Sequence, residues 1–188
     1  MTQYKAYVPI SFLNILTRYI DEQALEAKNL RETLQELSKG QRVDTLTFSQ
    51  LLDQIYQLTP LPALGLRIGS MAKPEDFGLV GNLITSCSTL KQALIRYGRY
   101  QTLVLTDVAA KIEIQENACS HQWMLRGVDN RLLYEFGLII FITLYQSLIN
   151  RKIAPVSVAL PIKEPKDINI YQAILGCPVE FNSPTLRV

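Results

Sequence analysis

Residues 132–149 form the most apolar run of the chain, and this run constrains the fold more than any other feature. The run approaches the length of a membrane span, but it contains Glu135, Thr143, Gln146 and Ser147. A charged side chain inside a bilayer costs about 2.5–3.5 kcal/mol at mid-span. The run therefore predicts a long helix buried in a protein core, with Asp129 as its N-cap. A transmembrane helix is the less favoured alternative.

The composition is that of a folded domain with an ordinary core. Hydrophobic residues make up 48% of the 188 residues and charged residues 19%, which does not fit a disordered chain. The net charge of +2 is too small to indicate a surface for nucleic acid or for an anionic membrane. Because the N-terminal residues lack the apolar segment of a signal peptide, we expect a cytoplasmic protein.

The cysteines and the single histidine argue against a metal site. Cys87, Cys119 and Cys177 are far apart and form no CxxC pair, which is typical of reduced thiols in the cytoplasm. Together with His121 they do not supply the closely spaced ligands that zinc needs. We expect neither a metal nor a cofactor.

Residues 1–72 are predicted to be mainly helical. Apolar residues recur there at helical spacing in two segments, Phe12, Leu13, Leu16, Tyr19 and Ile20, and then Leu30, Leu34 and Leu37. Thr47 and Gln50 form a capping-box pattern that predicts the start of a third helix. Pro60 and Pro62 then interrupt the helical pattern.

Residues 73–188 are predicted to mix helices with short strands. Thr89 and Gln92 form a second capping box, followed by a helix with one apolar face. Short β-rich segments follow at 103–106, 111–115, 121–126, 156–160 and 179–181, with a helix at 166–175. Short gaps favour antiparallel pairing. The chain is therefore expected to have an α+β fold, in which a helical N-terminal region is followed by a small, mainly antiparallel sheet packed against helices.

Few residues offer catalytic chemistry. His121 is the single histidine of the chain, so any Ser-His-Asp or Cys-His arrangement would have to include it. Strand alternation puts His121 and Trp123 on the same face, and we expect a surface or half-buried histidine. The same residue is the one possible histidine ligand for haem, and no neighbouring residue supports that role. An enzyme is therefore not expected.

The glycines at 64–69 do not form a phosphate-binding loop. The segment Leu64–Gly69 matches neither GxGxxG nor GxxxxGK[ST], and it lacks the lysine that a phosphate-cradling loop requires. Nucleotide binding is therefore not predicted.

Aromatic and cationic residues in the second half of the chain fit a ligand pocket. Pockets are mostly apolar with a few polar groups, and arginines can hold an anionic group through paired hydrogen bonds. The predicted ligand-binding residues are Arg96, Tyr97, Tyr100, Trp123, Arg126 and Tyr134. The alternative is that the tyrosines are ordinary core residues and the arginines are solvated.

A series of short motifs in order along the chain resembles a known family. The motifs are Leu64–Gly69, Phe77–Gly81, Ser86–Leu94, Tyr97 with Arg99–Tyr100, Pro155–Val158 and Tyr171–Ser183. Together they are similar to the arabinose-binding-type N-terminal domain of AraC/XylS-type transcription regulators. The resemblance covers essentially the whole chain.

The resemblance implies a sensor whose output lies elsewhere. Members of this family are cytoplasmic and often dimeric, and they couple a small organic effector to a C-terminal pair of helix-turn-helix motifs. No segment of this chain shows that helical pair with a basic face, so residues 1–188 are expected to be an effector-binding and dimerisation domain without the DNA-binding part. A ligand-independent dimerisation module is the alternative, and a small enzyme is less favoured.

Overall fold

The computed structural model describes residues 6–104, 109–115, 118–124, 129–149 and 151–188. The helices in these ranges are α1 (Phe12–Glu22), α2 (Lys28–Leu37), α3 (Thr45–Leu58), α4 (Leu64–Gly69), α5 (Gly78–Thr85), α6 (Leu90–Val104), α7 (Arg131–Ile149) and α8 (Ile168–Leu175), with a 3-10 turn at Pro74–Phe77. The strands are β1 (Tyr7–Pro9), β2 (Arg42–Asp44), β3 (Ala109–Ile114), β4 (Cys119–Met124), β5 (Val158–Ala159), β6 (Val179–Glu180) and β7 (Leu186–Arg187).

The strands form two sheets, and the larger one is mainly antiparallel. Its strand order is β3-β4-β7-β5-β6, and only the β5–β6 pair is parallel among the described strands. The predicted α+β fold is confirmed. The small antiparallel sheet of β1 and β2 was not predicted, because strands of three residues are too short to show an alternating pattern.

The N-cap residues of two helices differ from those predicted. The Asp44 carboxylate accepts hydrogen bonds from the Thr47 backbone N–H (2.9 Å) and hydroxyl (2.7 Å), so α3 begins at Thr45 rather than after Thr47. The amide oxygen of Asn130 accepts the Leu133 N–H at 3.0 Å, so Asn130 and not Asp129 caps α7. Asparagine and aspartate are equally good caps, so the choice depends on where the chain enters the helix.

The predicted strand at 103–106 is wrong for its first two residues, because α6 continues through Val104. In the sequence, Val104 continues the helical spacing of Leu94, Tyr97 and Gln101. Adding a residue to an existing helix also costs less free energy than nucleating a new element. Residues 105 and 106 lie outside the described part of the chain. The capping contact predicted at the start of α6 is present, since the Gln92 N–H donates to the Thr89 hydroxyl oxygen at 3.2 Å.

Helix α7 runs through the core of the domain. By length and composition it could cross a membrane, but 61% of its most apolar 18-residue window is buried inside the protein. It packs against α3, α4 and α6 and against strand β7. The predicted buried core helix is therefore confirmed, since most of its apolar side chains are covered by protein.

Two glycines let α4 approach α7 closely. A Cβ atom on Gly65 would lie 2.3 Å from the Leu132 carbonyl oxygen, and one on Gly69 would lie 2.4 Å from Cγ2 of Ile139. The two glycines are four residues apart and so share one helix face. The glycine pattern at 64–69 thus serves helix packing, which explains why it does not match a phosphate loop.

Glu135 is a buried charge that joins three helices. Its side chain is fully buried on α7, and its carboxylate accepts the Gly65 N–H of α4 at 2.9 Å and the Tyr171 hydroxyl of α8. The guanidinium of Arg131 lies 3.7 Å away. Burial raises the pKa of Glu135, and these three partners partly oppose that rise. The carboxylate therefore fixes α4 and α8 to the central helix.

Candidate ligand site

A groove lies between strand β4, the C-terminal half of α7, the segment 153–157 and the end of β7. Its volume is about 380 Å³, which falls within the range of small-molecule pockets. We call it the α7–β4 groove. Its lining residues are Ala118, Cys119, Ser120, His121, Ile142, Tyr145, Gln146, Ile149, Ile153, Ala154, Pro155, Val156, Ser157, Arg187 and Val188.

The walls of the α7–β4 groove are mostly apolar. Ile142 and Ile149 come from α7, where helical spacing places them on one side. Ile153 and Val156 come from the segment that follows α7, and their exposed fractions are 54% and 93%. Because removing apolar surface from water lowers the free energy, an apolar molecule in the groove would be stabilised there.

Five aromatic rings pack together beside the groove, and we call them the aromatic cluster: Tyr97, His121, Trp123, Phe141 and Tyr145. The Trp123 ring stacks on Phe141 with centroids 4.5 Å apart. Edge-to-face and stacked pairs of this kind stabilise a fixed ring arrangement. His121 and Tyr145 belong to the cluster and also line the groove, so the cluster borders the groove through these two residues.

His121 is buried and neutral. The prediction of a surface or half-buried histidine is wrong, since its exposed fraction is 1%. Strand β4 lies between β3 and β7, and α7 covers the face that carries His121. Burial lowers the pKa of His121 to about 3, so the ring is uncharged near neutral pH. The prediction that His121 and Trp123 share a face is confirmed, because both are buried against α7.

Four buried polar atoms of the described residues have no hydrogen-bond partner. They are the Tyr97 hydroxyl, Gln101 Oε1, His121 Nε2 and Trp123 Nε1. Three belong to the aromatic cluster, and Gln101 follows Tyr97 by one helical turn on α6. Leaving a buried polar group unpaired costs about 1–3 kcal/mol, so such groups mark places where a ligand or water binds.

Residues 21–188 match the model of a protein family, the N-terminal arabinose-binding domain of AraC transcription regulators. The chain belongs to this family. It is therefore a regulatory, ligand-binding type of domain, and the resemblance noted in the sequence is confirmed. Among curated protein sequences, none matches the chain.

A solved structure supports the same fold. The transcriptional regulator CdpR from Pseudomonas aeruginosa is similar to the chain with a TM-score of 0.63 and 15% sequence identity. The match covers 95% of this chain and 54% of CdpR. The AraC-type domain thus spans about half the length of that regulator.

The structure places two of the predicted ligand residues, Tyr97 and Trp123, together in the aromatic cluster of this AraC-type domain. Tyr134 is buried near the start of α7. Tyr100 is 37% exposed on α6. Arg126 lies outside the described residues. A ligand role for each of these residues remains a prediction.

Arg96, also predicted to bind ligand, contacts the end of α5, and its ligand role likewise stays a prediction. Its guanidinium donates to the Leu83 carbonyl oxygen and to the Ser86 hydroxyl oxygen, both at 3.3 Å. These contacts join α6 to the end of α5.

Sequence reasoning missed Tyr145 as a site residue. Tyr145 follows Phe141 by one turn of α7, and its hydroxyl lies 2.5 Å from His121 Nδ1. The spacing of Phe141 and Tyr145 could have shown that they share a helix face, but the contact with His121 depends on how α7 crosses β4.

Within the described residues, no group of three or more His, Cys, Asp or Glu side chains is placed to hold a metal.

Proposed function

We propose that this domain binds a small organic effector in the α7–β4 groove. The observation that carries the proposal is the cavity of about 380 Å³ with apolar walls, lined by His121, whose buried Nε2 atom has no partner. An apolar pocket with a few convergent polar groups is the usual form of a small-molecule site. Membership of a family of regulatory ligand-binding domains supports the same function.

The proposed signal passes through the elements that form the groove. The backbones of His121 and Val188 exchange two hydrogen bonds of 2.8 and 2.9 Å, so the end of β7 is tied to the same strand as the aromatic cluster. A ligand that contacts α7 and this strand pair stabilises the arrangement in which they are close. Coupling of this kind changes a second affinity by about 5–150-fold.

In this proposal, residues 1–188 are one effector-binding domain and DNA binding belongs to a helix-turn-helix domain outside the chain. The compartment is the cytoplasm, which fits the three free thiols of Cys87, Cys119 and Cys177. The effector then acts by changing how strongly the whole regulator binds its DNA site.

Thermal unfolding of the domain with a panel of metabolites tests the proposal. An effector at 100 times its dissociation constant adds about 2.7 kcal/mol, which raises the melting temperature by about 5–10 °C for a domain of this size. Ser157→Phe, at an exposed position of the groove wall, should abolish this shift by filling the groove. Leu79→Phe is the control, because Leu79 is 68% exposed on α5, outside the groove.

Two results would contradict the proposal. If no class of metabolite raises the melting temperature, the domain does not sense a small molecule. If an effector stabilises the Ser157→Phe variant as much as the unchanged protein, its site lies elsewhere.

A homodimer is the second function that we propose, and an exposed apolar surface favours it. Leu90, Ile95 and Ile114 line a shallow depression between α6 and the β3–β4 hairpin, where Ile95 is 48% and Ile114 37% exposed. Burying such side chains against a second copy would remove them from water.

Sedimentation velocity over a range of protein concentrations tests the dimer. We expect the dimer mass at high concentration and a shift to monomer for Ile95→Glu. Leu46→Glu is the matched control, because Leu46 is 58% exposed on α3 and should not affect assembly. A monomer at every concentration, or equal loss in both variants, would exclude this surface as the interface.

A further inference from the structure

The chemistry of the aromatic cluster restricts what the effector can be. Trp123 Nε1 can only donate a hydrogen bond, and it is buried without an acceptor. It lies beside the Tyr97 hydroxyl. Burial raises the pKa of Tyr97, and the nearby indole N–H opposes part of that rise. The two groups nevertheless form no hydrogen bond of acceptable geometry. The cluster therefore contains an unused donor.

His121 supplies a second donor. When the Tyr145 hydroxyl donates to Nδ1, both groups are satisfied and the proton of the neutral ring is on Nε2. The reverse tautomer leaves two groups unpaired, the Tyr145 proton and the Nε2 lone pair. The first tautomer leaves one unpaired group, the Nε2 N–H, and is favoured for that reason. His121 lines the α7–β4 groove, and Trp123 lies behind it with ring centroids 3.7 Å apart, so the two donors belong to one small region at the inner side of the groove.

The described residues of the cluster offer no positive charge to an anion. The arginine that lines the groove, Arg187, is paired with Glu180 at 3.0 Å. A carboxylate buried beside neutral rings would lose its hydration without gaining a counter-charge, which is costly. A neutral oxygen that accepts two hydrogen bonds meets no such penalty.

We propose that the aromatic cluster binds a neutral carbonyl oxygen of the effector, with His121 Nε2–H and Trp123 Nε1–H as donors, while the α7–β4 groove holds the effector's apolar body. The inference rests on the proposed effector function and adds the chemical class of the ligand. It commits to a ketone, amide or ester group on an apolar skeleton.

The single tryptophan of the sequence, Trp123, provides a direct readout, because any ligand that reaches Nε1 changes its fluorescence. Methyl ketones and N-methyl amides with medium-length alkyl chains are titrated against carboxylates of the same chain length at neutral pH. We expect the neutral ligands to change the fluorescence and to bind at least tenfold more tightly than the carboxylates.

Two variants, each assayed by calorimetry, separate a donor role from simple packing. Trp123→Phe keeps a ring on Phe141 but removes the N–H, and should weaken ketone binding about fivefold to tenfold. Phe181→Leu is the control, because Phe181 packs against Tyr171 and does not line the groove. Circular dichroism of both variants shows whether they fold.

Several outcomes would overturn the inference. Tighter binding of the carboxylates would assign recognition to a cation such as Arg187, and Arg187→Met would then abolish it. Equal ketone binding by a folded Trp123→Phe variant would show that the indole N–H does not bind the ligand. If no neutral carbonyl compound binds while a metabolite of another class stabilises the domain and Ser157→Phe blocks it, the effector function stands and the carbonyl assignment fails.

Discussion

Replacing Gly65 with alanine is expected to lower the free energy of unfolding by about 3 kcal/mol or more. The added Cβ would lie 2.3 Å from the Leu132 carbonyl oxygen and 2.6 Å from Cβ of Glu135. The first is a backbone atom of the central helix, so the clash cannot be relieved by a side-chain rotation. Helix α4 would have to move away from α7, and the Gly65 N–H would then lose its bond to Glu135. Urea unfolding followed by circular dichroism measures the loss.

Gly137→Ala is the matched control for this prediction. Gly137 lies in the middle of α7, and a Cβ there would meet no atom within 4 Å. Alanine is a better helix former, so this variant should gain about 0.5–1 kcal/mol. A Gly65→Ala variant as stable as the unchanged protein would show that α4 does not pack on α7 at this distance.

Replacing Glu135 with alanine is expected to cost about 3 kcal/mol of stability. The change leaves the buried Gly65 N–H and the Tyr171 hydroxyl without their acceptor, and it opens a cavity between three helices. Thermal or urea unfolding measures the effect. As a control, Glu180→Ala removes an ion pair with Arg187 whose partners are 58% and 40% exposed, and should cost less than about 1 kcal/mol.

Glu135→Gln gives the pH dependence of this contact. Because burial raises the pKa of Glu135, the folded protein holds the carboxyl proton more tightly than the unfolded chain. The unfolding free energy of the unchanged protein should therefore fall, relative to Glu135→Gln, as the pH rises from about 4.5 through the raised pKa. If instead the unchanged protein becomes more stable relative to Glu135→Gln as the pH rises, the ionised carboxylate is the form that stabilises the fold.

The fold could be predicted largely from apolar spacing. The run at 132–149 required a buried helix, and the series of motifs from Leu64 to Tyr100 identified the family before any contact was known. Strands β1, β2 and β7 were not predicted, because each depends on a partner that is distant in sequence. The starts of α3 and α7 were misplaced for a related reason, since neighbouring polar residues compete for the cap and tertiary contacts decide between them.

The candidate site could be predicted only in part. The spacing of Ala93, Leu94 and Tyr97 already indicated which face of α6 is buried, but Arg96 and Tyr100 lie at the edge of that face, and only the structure shows that both are exposed. The burial of His121 follows from the crossing of α7 over β4, which no local pattern records. The α7–β4 groove combines residues 118–121, 142–157 and 187–188, so its existence depends entirely on tertiary structure.

The central claim is that the α7–β4 groove binds the effector, and a structure of the domain with the most strongly stabilising metabolite tests it most directly. We expect the ligand to lie between α7, β4 and the segment 153–157, with an acceptor atom within hydrogen-bond distance of His121 or Trp123. A ligand bound elsewhere, with this groove empty, would contradict the account.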